Sequence, residues 1–137
     1  MGRILALDYG IKRTGVAVTD PLQIIATPLD TVDTKTLLDF LKRYCVEEAV
    51  ETIVIGMPKD LQNRDTHATV PVKKVIQSLE HVLPAIPIVQ VDERFTSKMA
   101  FDTMLAAGVK KKDRRNKANV DKLSATIILQ SFLDQNR

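Results

Sequence analysis

A chain of 137 residues, 45% hydrophobic and 27% charged with a net charge of +3, has the length of one domain and the balance of an ordinary globular protein. Its single cysteine, Cys45, excludes an intrachain disulfide and any cysteine-built metal cluster, and the simplest setting for it is the reducing cytoplasm. No apolar run approaches the roughly 20 residues of a membrane-spanning helix, and the N-terminus lacks the basic-then-apolar layout of a signal peptide, so one cytoplasmic domain over residues 1–137 is expected, with no membrane partner.

Ile4 to Leu7 and Val16 to Val18 read as two strands around a turn rich in glycine and basic residues. The first strand closes on Asp8, and the string from Asp8 through Gly10, Lys12 and Arg13 to Gly15 sets a carboxylate beside two glycines and two cations. Such a turn suits a metal ion and a phosphate together. The same residues also fit a plain hairpin, with Asp8 starting the turn and the cations solvated. Leu22 to Leu29 reads as a third strand reached through Asp20-Pro21, and three strands with short connections predict an antiparallel meander.

From Asp33 the period changes. Leu37, Leu41, Tyr44 and Cys45 fall on one helical face, with Asp33 or Thr34 as the expected N-cap; Cys45, without an activating base nearby, reads as buried filler. Thr52 to Met57 is a continuous apolar run ended by Gly56 and Pro58, which predicts a strand in the middle of a sheet. Beyond the polar stretch Lys59 to Thr69, a second amphipathic helix carries Ala68, Val72, Val75, Ile76, Leu79, Val82 and Leu83. Pro71 fits only its first turn, so that helix starts near Thr69.

Ile86 to Val91 forms a fifth strand that runs into Asp92-Glu93-Arg94. Thr96 or Ser97 caps a helix with Met99, Met104 and Leu105 that stops at Gly108. Next, Lys110, Lys111, Lys112, Arg114, Arg115 and Lys117 crowd around Asp113 alone and leave the rest of the chain slightly acidic. That distribution suits a polyanionic partner, although solvated loops also carry such runs. A last helix from near Asn119 is expected to bury Val120, Leu123, Ile127, Ile128 and Leu133. The order βββαβαβαα describes one α/β domain: a five-stranded mixed sheet, with an antiparallel meander extended by two parallel strands and flanked by helices.

Three acidic positions stand at element ends: Asp8, Asp92-Glu93, and Asp121 in the first turn of the last helix. With strands one and five parallel, Asp8 and Asp92-Glu93 share the sheet edge where open α/β sheets bind ligands. Carboxylates without a His or Cys cluster favour Mg²⁺ or Mn²⁺, and beside Lys and Arg they suit phosphodiester hydrolysis, with two ions about 3.5–4 Å apart as the clamp. Structural readings stand beside each: the helix dipole favours Asp121, Glu93 can pair with Arg94, and Asp8 can form a turn. His67 and His81 have no neighbour at ligand or triad spacing and read as surface or structural residues.

The string LDYGIKRTGVAVTD resembles the N-terminal signature of the YqgF/RuvX family, Holliday-junction-resolvase-like or pre-16S rRNA nucleases with an RNase H-like fold. IVIGMP, VDERFTS and KANVDKLSATIILQSFL resemble that family's central strand, its D-E-R-x-T motif and its closing helix, in the family's order and spacing. Gln62-Asn63-Arg64 stands where the family usually carries a Gly, and Ser97 where a Thr is common. The resemblance implies a metal-dependent nuclease in which Asp8, Glu93 and Asp121 match the acidic triad and Lys12, Arg13 and Arg94 match its basic positions. Its substrate would be structured RNA, above all the ends of precursor 16S rRNA in or near ribosomal particles, or branched DNA, and the protein would be a monomer or weak homodimer. Two other classes remain open: a catalytically idle ribosome-assembly factor, and a phosphotransferase of the actin/hexokinase type, which needs a second lobe.

Overall fold

A computed structural model describes residues 2–57, 69–92 and 117–135. Strands β1 (Arg3–Asp8), β2 (Arg13–Thr19) and β3 (Ala26–Asp33) come first, then helix α1 (Leu37–Glu47), β4 (Val50–Met57), α2 (Thr69–Val82), β5 (Ile88–Asp92) and α3 (Lys117–Gln135). The sheet order is β3-β2-β1-β4-β5. β2 pairs antiparallel with β1 and β3, whereas β4 pairs parallel with β1 and β5. The meander and its two parallel partners are therefore as expected, and the run Thr52 to Met57 lies inside the sheet between two neighbours. The helix expected between Thr96 and Gly108 falls outside the described residues.

The pleat of β1 divides the core in two. Leu5 and Leu7 pack with Val16, Ile53, Ile55 and Met57 under Leu37, Leu41 and Cys45 of α1 and Val72, Ile76 and Leu79 of α2. Ile4 and Ala6 face the other way, packing with Ala17, Val54 and Val91 under Ala125, Ile128, Leu129 and Leu133 of α3. Alanines at 6, 17 and 125 keep the α3 side thin, so this helix lies close over β2 and its neighbours β1 and β3.

Several boundaries differ from the sequence reading. β3 begins at Ala26 rather than Leu22, because the Asp20 carboxylate accepts the backbone N–H groups of Leu22, Ile24 and Ile25 at 3.1, 2.8 and 2.8 Å and folds them into a turn. Gln23 sits there at φ 60°, held by its side-chain amide donating to the Gly2 carbonyl at 2.8 Å and to Glu51. β3 then runs on to Asp33 through polar residues, as an edge strand with Pro28 and a register shift can. At α1, a 3₁₀ turn (Thr34–Thr36) intervenes, and neither Asp33 nor Thr36 caps through its side chain. β5 starts two residues later than expected, at Ile88. α3 starts at Lys117 instead of near Asn119, and Ile127 and Leu123 are only half-buried while Ser124, Ala125 and Leu129 are buried.

Candidate active site at the carboxyl edge of the sheet

β1, β4 and β5 run parallel, so Asp8, Met57 and Asp92 end at one edge of the sheet. β2 starts from that edge at Arg13, and β3 returns to it at Asp33. Strand order changes direction between β1 and β4, and the crevice outside such a point is where α/β sheets receive ligands. Asp8 closes β1 on the α3 side, in phase with Ile4 and Ala6, and is half-buried. Its partner across the ladder is Gly15, which is buried and brings no side chain beside the carboxylate. Arg13 lies two residues back on β2, in phase with Gly15 and Ala17, so the register makes it the diagonal neighbour of Asp8 on one face. Lys12 is exposed at the tip of the turn.

The turn itself is narrow. A Cβ on Gly10 would collide with the Arg13 carbonyl, so only glycine allows the chain to close here. Three contacts fasten the turn to the end of β3. The Thr34 N–H donates to the Lys12 carbonyl at 3.0 Å, the Thr34 hydroxyl donates to the Gly10 carbonyl at 2.5 Å, and Thr34 Oγ1 lies 2.9 Å from Thr14 Oγ1. Neither composition nor spacing singles out either threonine for this role. Thr34 reads in sequence as a helix cap because it precedes an apolar helical pattern, and its contact to Gly10 spans 24 residues, beyond any local signal.

β5 bears on which acidic neighbour belongs to this face. Val89 and Val91 pack on the α3 side, while Asp92 takes the register of Met57, whose side chain belongs to the α1/α2 core. Asp121 lies within α3, four residues before Ala125 and seven before Ile128 in the chain. Because α3 starts at Lys117, Asp121 is in its second turn, where the helix dipole no longer accounts for an acid. Glu93, Arg94, Lys110, Lys111, Lys112, Arg114, Arg115 and His67 lie outside the described residues, and Lys117 is the first residue of α3.

Among the described residues, no three His, Cys, Asp or Glu side chains form a metal-binding group, so the triad expected from sequence is represented there by Asp8 and by the helix position of Asp121. The chemistry of the set fits a hard divalent cation: its donors would be carboxylate oxygens, and the softer candidates among the described residues, Cys45 and His81, lie towards the C-terminal ends of α1 and α2. Cys45 is buried in the α1 core, where burial pushes its thiol up to about 11, and His81 is exposed in the last turn of α2. Among the described residues, no helix is long and apolar enough to cross a membrane.

Comparison with known proteins agrees with this architecture. The family model RuvX, described as Holliday junction resolvase, matches residues 2–135. A protein of Bacteroides fragilis named "Putative pre-16S rRNA nuclease" is 54% identical over 137 residues, covering 100% of this chain and 99% of its own length. One of the same name from Amoebophilus asiaticus is 54% identical over 133 residues, covering 97% and 94%. Among solved structures, Thermus thermophilus RuvC in complex with a Holliday junction substrate superposes with a TM-score of 0.62 at 13% identity, covering 99% of this chain and 97% of that one. At that identity the likeness concerns the fold, which is the RNase H-like arrangement.

Proposed function

We infer the function from the premise that this chain belongs to the RuvX family: it is a nuclease that hydrolyses phosphodiester bonds in nucleic acid. Its substrate is the precursor of 16S rRNA, a reading supported by the name of relatives more than half identical over nearly the whole chain. The observation that carries the chemistry is the carboxyl edge of the sheet, where Asp8 stands on one face with Arg13 and beside the exposed Lys12.

In this reading Asp8, Glu93 and Asp121 hold Mg²⁺ or Mn²⁺. The phase of Asp92 with Met57 is the argument for Glu93 over Asp92. These carboxylates would hold a divalent ion, whose chemistry would be to activate water and to offset charge on the scissile phosphate. The chain's own residues do the rest. Lys12, Arg13 and Arg94 neutralise the phosphate oxygens and hold the backbone against the edge. The segment from Lys110 to Lys117 adds phosphate contacts along the RNA that position it without reading bases. The closely packed sheet beneath keeps Asp8 fixed while substrate charge changes.

A second reading, cleavage of four-way DNA junctions, is favoured by the family's description. One experiment separates the two: the purified protein with Mg²⁺ or Mn²⁺ is incubated with precursor 16S rRNA fragments and with a synthetic four-way junction in parallel. Faster cutting of the precursor is expected, abolished by EDTA and restored by the metal. Cutting of the junction alone would transfer the assignment to the resolvase reading, and cutting that survives exhaustive chelation would remove the metal.

A further inference from the structure

The turn between β1 and β2 is anchored at its start by the half-buried Tyr9, which packs against the core, whereas Ile11 is 77% exposed at its tip and Lys12 is exposed beside it. Thr34 hydrogen-bonds this exposed tip to the end of β3. A threonine hydroxyl has one hydrogen, and a carbonyl can only accept. Since the Thr34 hydroxyl donates to the Gly10 carbonyl, the 2.9 Å contact between the two threonine oxygens must be Thr14 donating to Thr34. The chain of hydrogen bonds therefore has a direction, from Thr14 to Thr34 to Gly10, and each bond polarises the next. Its first member is fully buried and its last is in the exposed turn. The Thr34 N–H meanwhile holds the Lys12 carbonyl at 3.0 Å, so one residue grips the turn at both Gly10 and Lys12.

We propose that Thr34 is a positioning residue for substrate phosphate: through the Gly10 and Lys12 carbonyls it sets where the Lys12 ammonium and the Arg13 guanidinium stand relative to Asp8. The proposal rests on the reading of this turn as facing phosphate. A turn ordered in advance spares the binding step the cost of ordering it, and that saving appears as affinity. Thr34→Val keeps the shape and the backbone bond to Lys12 but removes the hydroxyl link to Gly10 and leaves the buried Thr14 donor without its acceptor.

The test measures affinity for a labelled structured RNA without metal, and kcat and KM with Mg²⁺, for wild type, Thr34→Val, Thr34→Ser, Lys12→Gln and the Thr34→Val/Lys12→Gln pair, all well below their melting temperatures. Loss of one hydrogen bond's worth of order predicts affinity about three- to tenfold weaker for Thr34→Val, with KM rising more than kcat falls. Thr34→Ser, which keeps the hydroxyl, should return to wild type. Because Thr34 acts partly through Lys12, the loss in the double variant should fall short of the sum of the two single losses. Unchanged affinity in folded Thr34→Val, or losses that simply add, would overturn the proposal and leave Thr34 a stabilising residue. Unchanged affinity in Lys12→Gln would overturn the phosphate-facing turn itself, and the positioning role with it. Should Thr34→Val fail to fold, Thr34→Ala puts the same question.

Discussion

Asp20 shows how much a single carboxylate can redirect. By taking the N–H groups of Leu22, Ile24 and Ile25, it ends β2 and keeps an apolar stretch out of the sheet, leaving Leu22, Ile24 and Ile25 exposed. Apolar spacing predicts a strand there, and the hydrogen bonds of the Asp20 and Gln23 side chains, invisible in a hydropathy pattern, decide otherwise. These donors, Ile25 foremost, hold the Asp20 carboxyl below the usual carboxylate range. A carboxyl whose folded pKa is depressed stabilises the fold above the unfolded value, about 3.9, and that contribution fades as pH falls through the lower folded value. Thermal melts of wild type and Asp20→Ala should therefore differ at neutral pH and converge in acid below about pH 4. A gap that persists unchanged to the most acidic pH at which both remain folded would show that charge plays no part in this turn.

At the scale of elements, strands and helices were legible where burial alone decides. The run Thr52 to Met57 could only be an interior strand, and Leu37, Leu41 and Cys45 could only be one helical face. Less was legible where an element lies at an edge or a face is built of small residues. β3 carries Asp30, Thr31 and Asp33 because one side of an edge strand meets water, and α3 presents Ser124 and Ala125 to the sheet, which a search for large apolar residues passes over. Asp8 stood out because a carboxylate ends an apolar strand beside glycine and cations, whereas Thr34 did not, because its meaning depends on a fold that brings β3 back to the same edge. The basic segment before α3 gives a prediction of its own. Changing Lys110, Lys111, Lys112, Arg114 and Arg115 to Gln should weaken RNA binding and flatten the slope of log K against log salt by about 0.7 for each phosphate no longer neutralised, with little change in melting temperature. An unaltered slope would mark the segment as solvated charge.

The whole molecule combines a well-packed sheet with a polar edge. Helices cover both faces, so the carboxyl ends of β1, β4 and β5 and the start of β2 form a border on which charge can be concentrated while the core beneath stays apolar. That division lets the central claim be tested with little risk to the fold, by comparing wild type and Asp8→Asn in cleavage of precursor rRNA, thermal stability and metal-free RNA binding. Asn keeps the shape and much of the hydrogen bonding of Asp8 but removes the charge. If Asp8 holds the metal, cleavage falls by orders of magnitude. Melting temperature then holds or rises as mutual repulsion among neighbouring carboxylates is relieved, and metal-free binding holds or improves as a negative charge beside the phosphate path is removed. Melting temperature and binding falling together, with cleavage per folded molecule retained, would contradict a catalytic Asp8 and make it a structural residue of the turn.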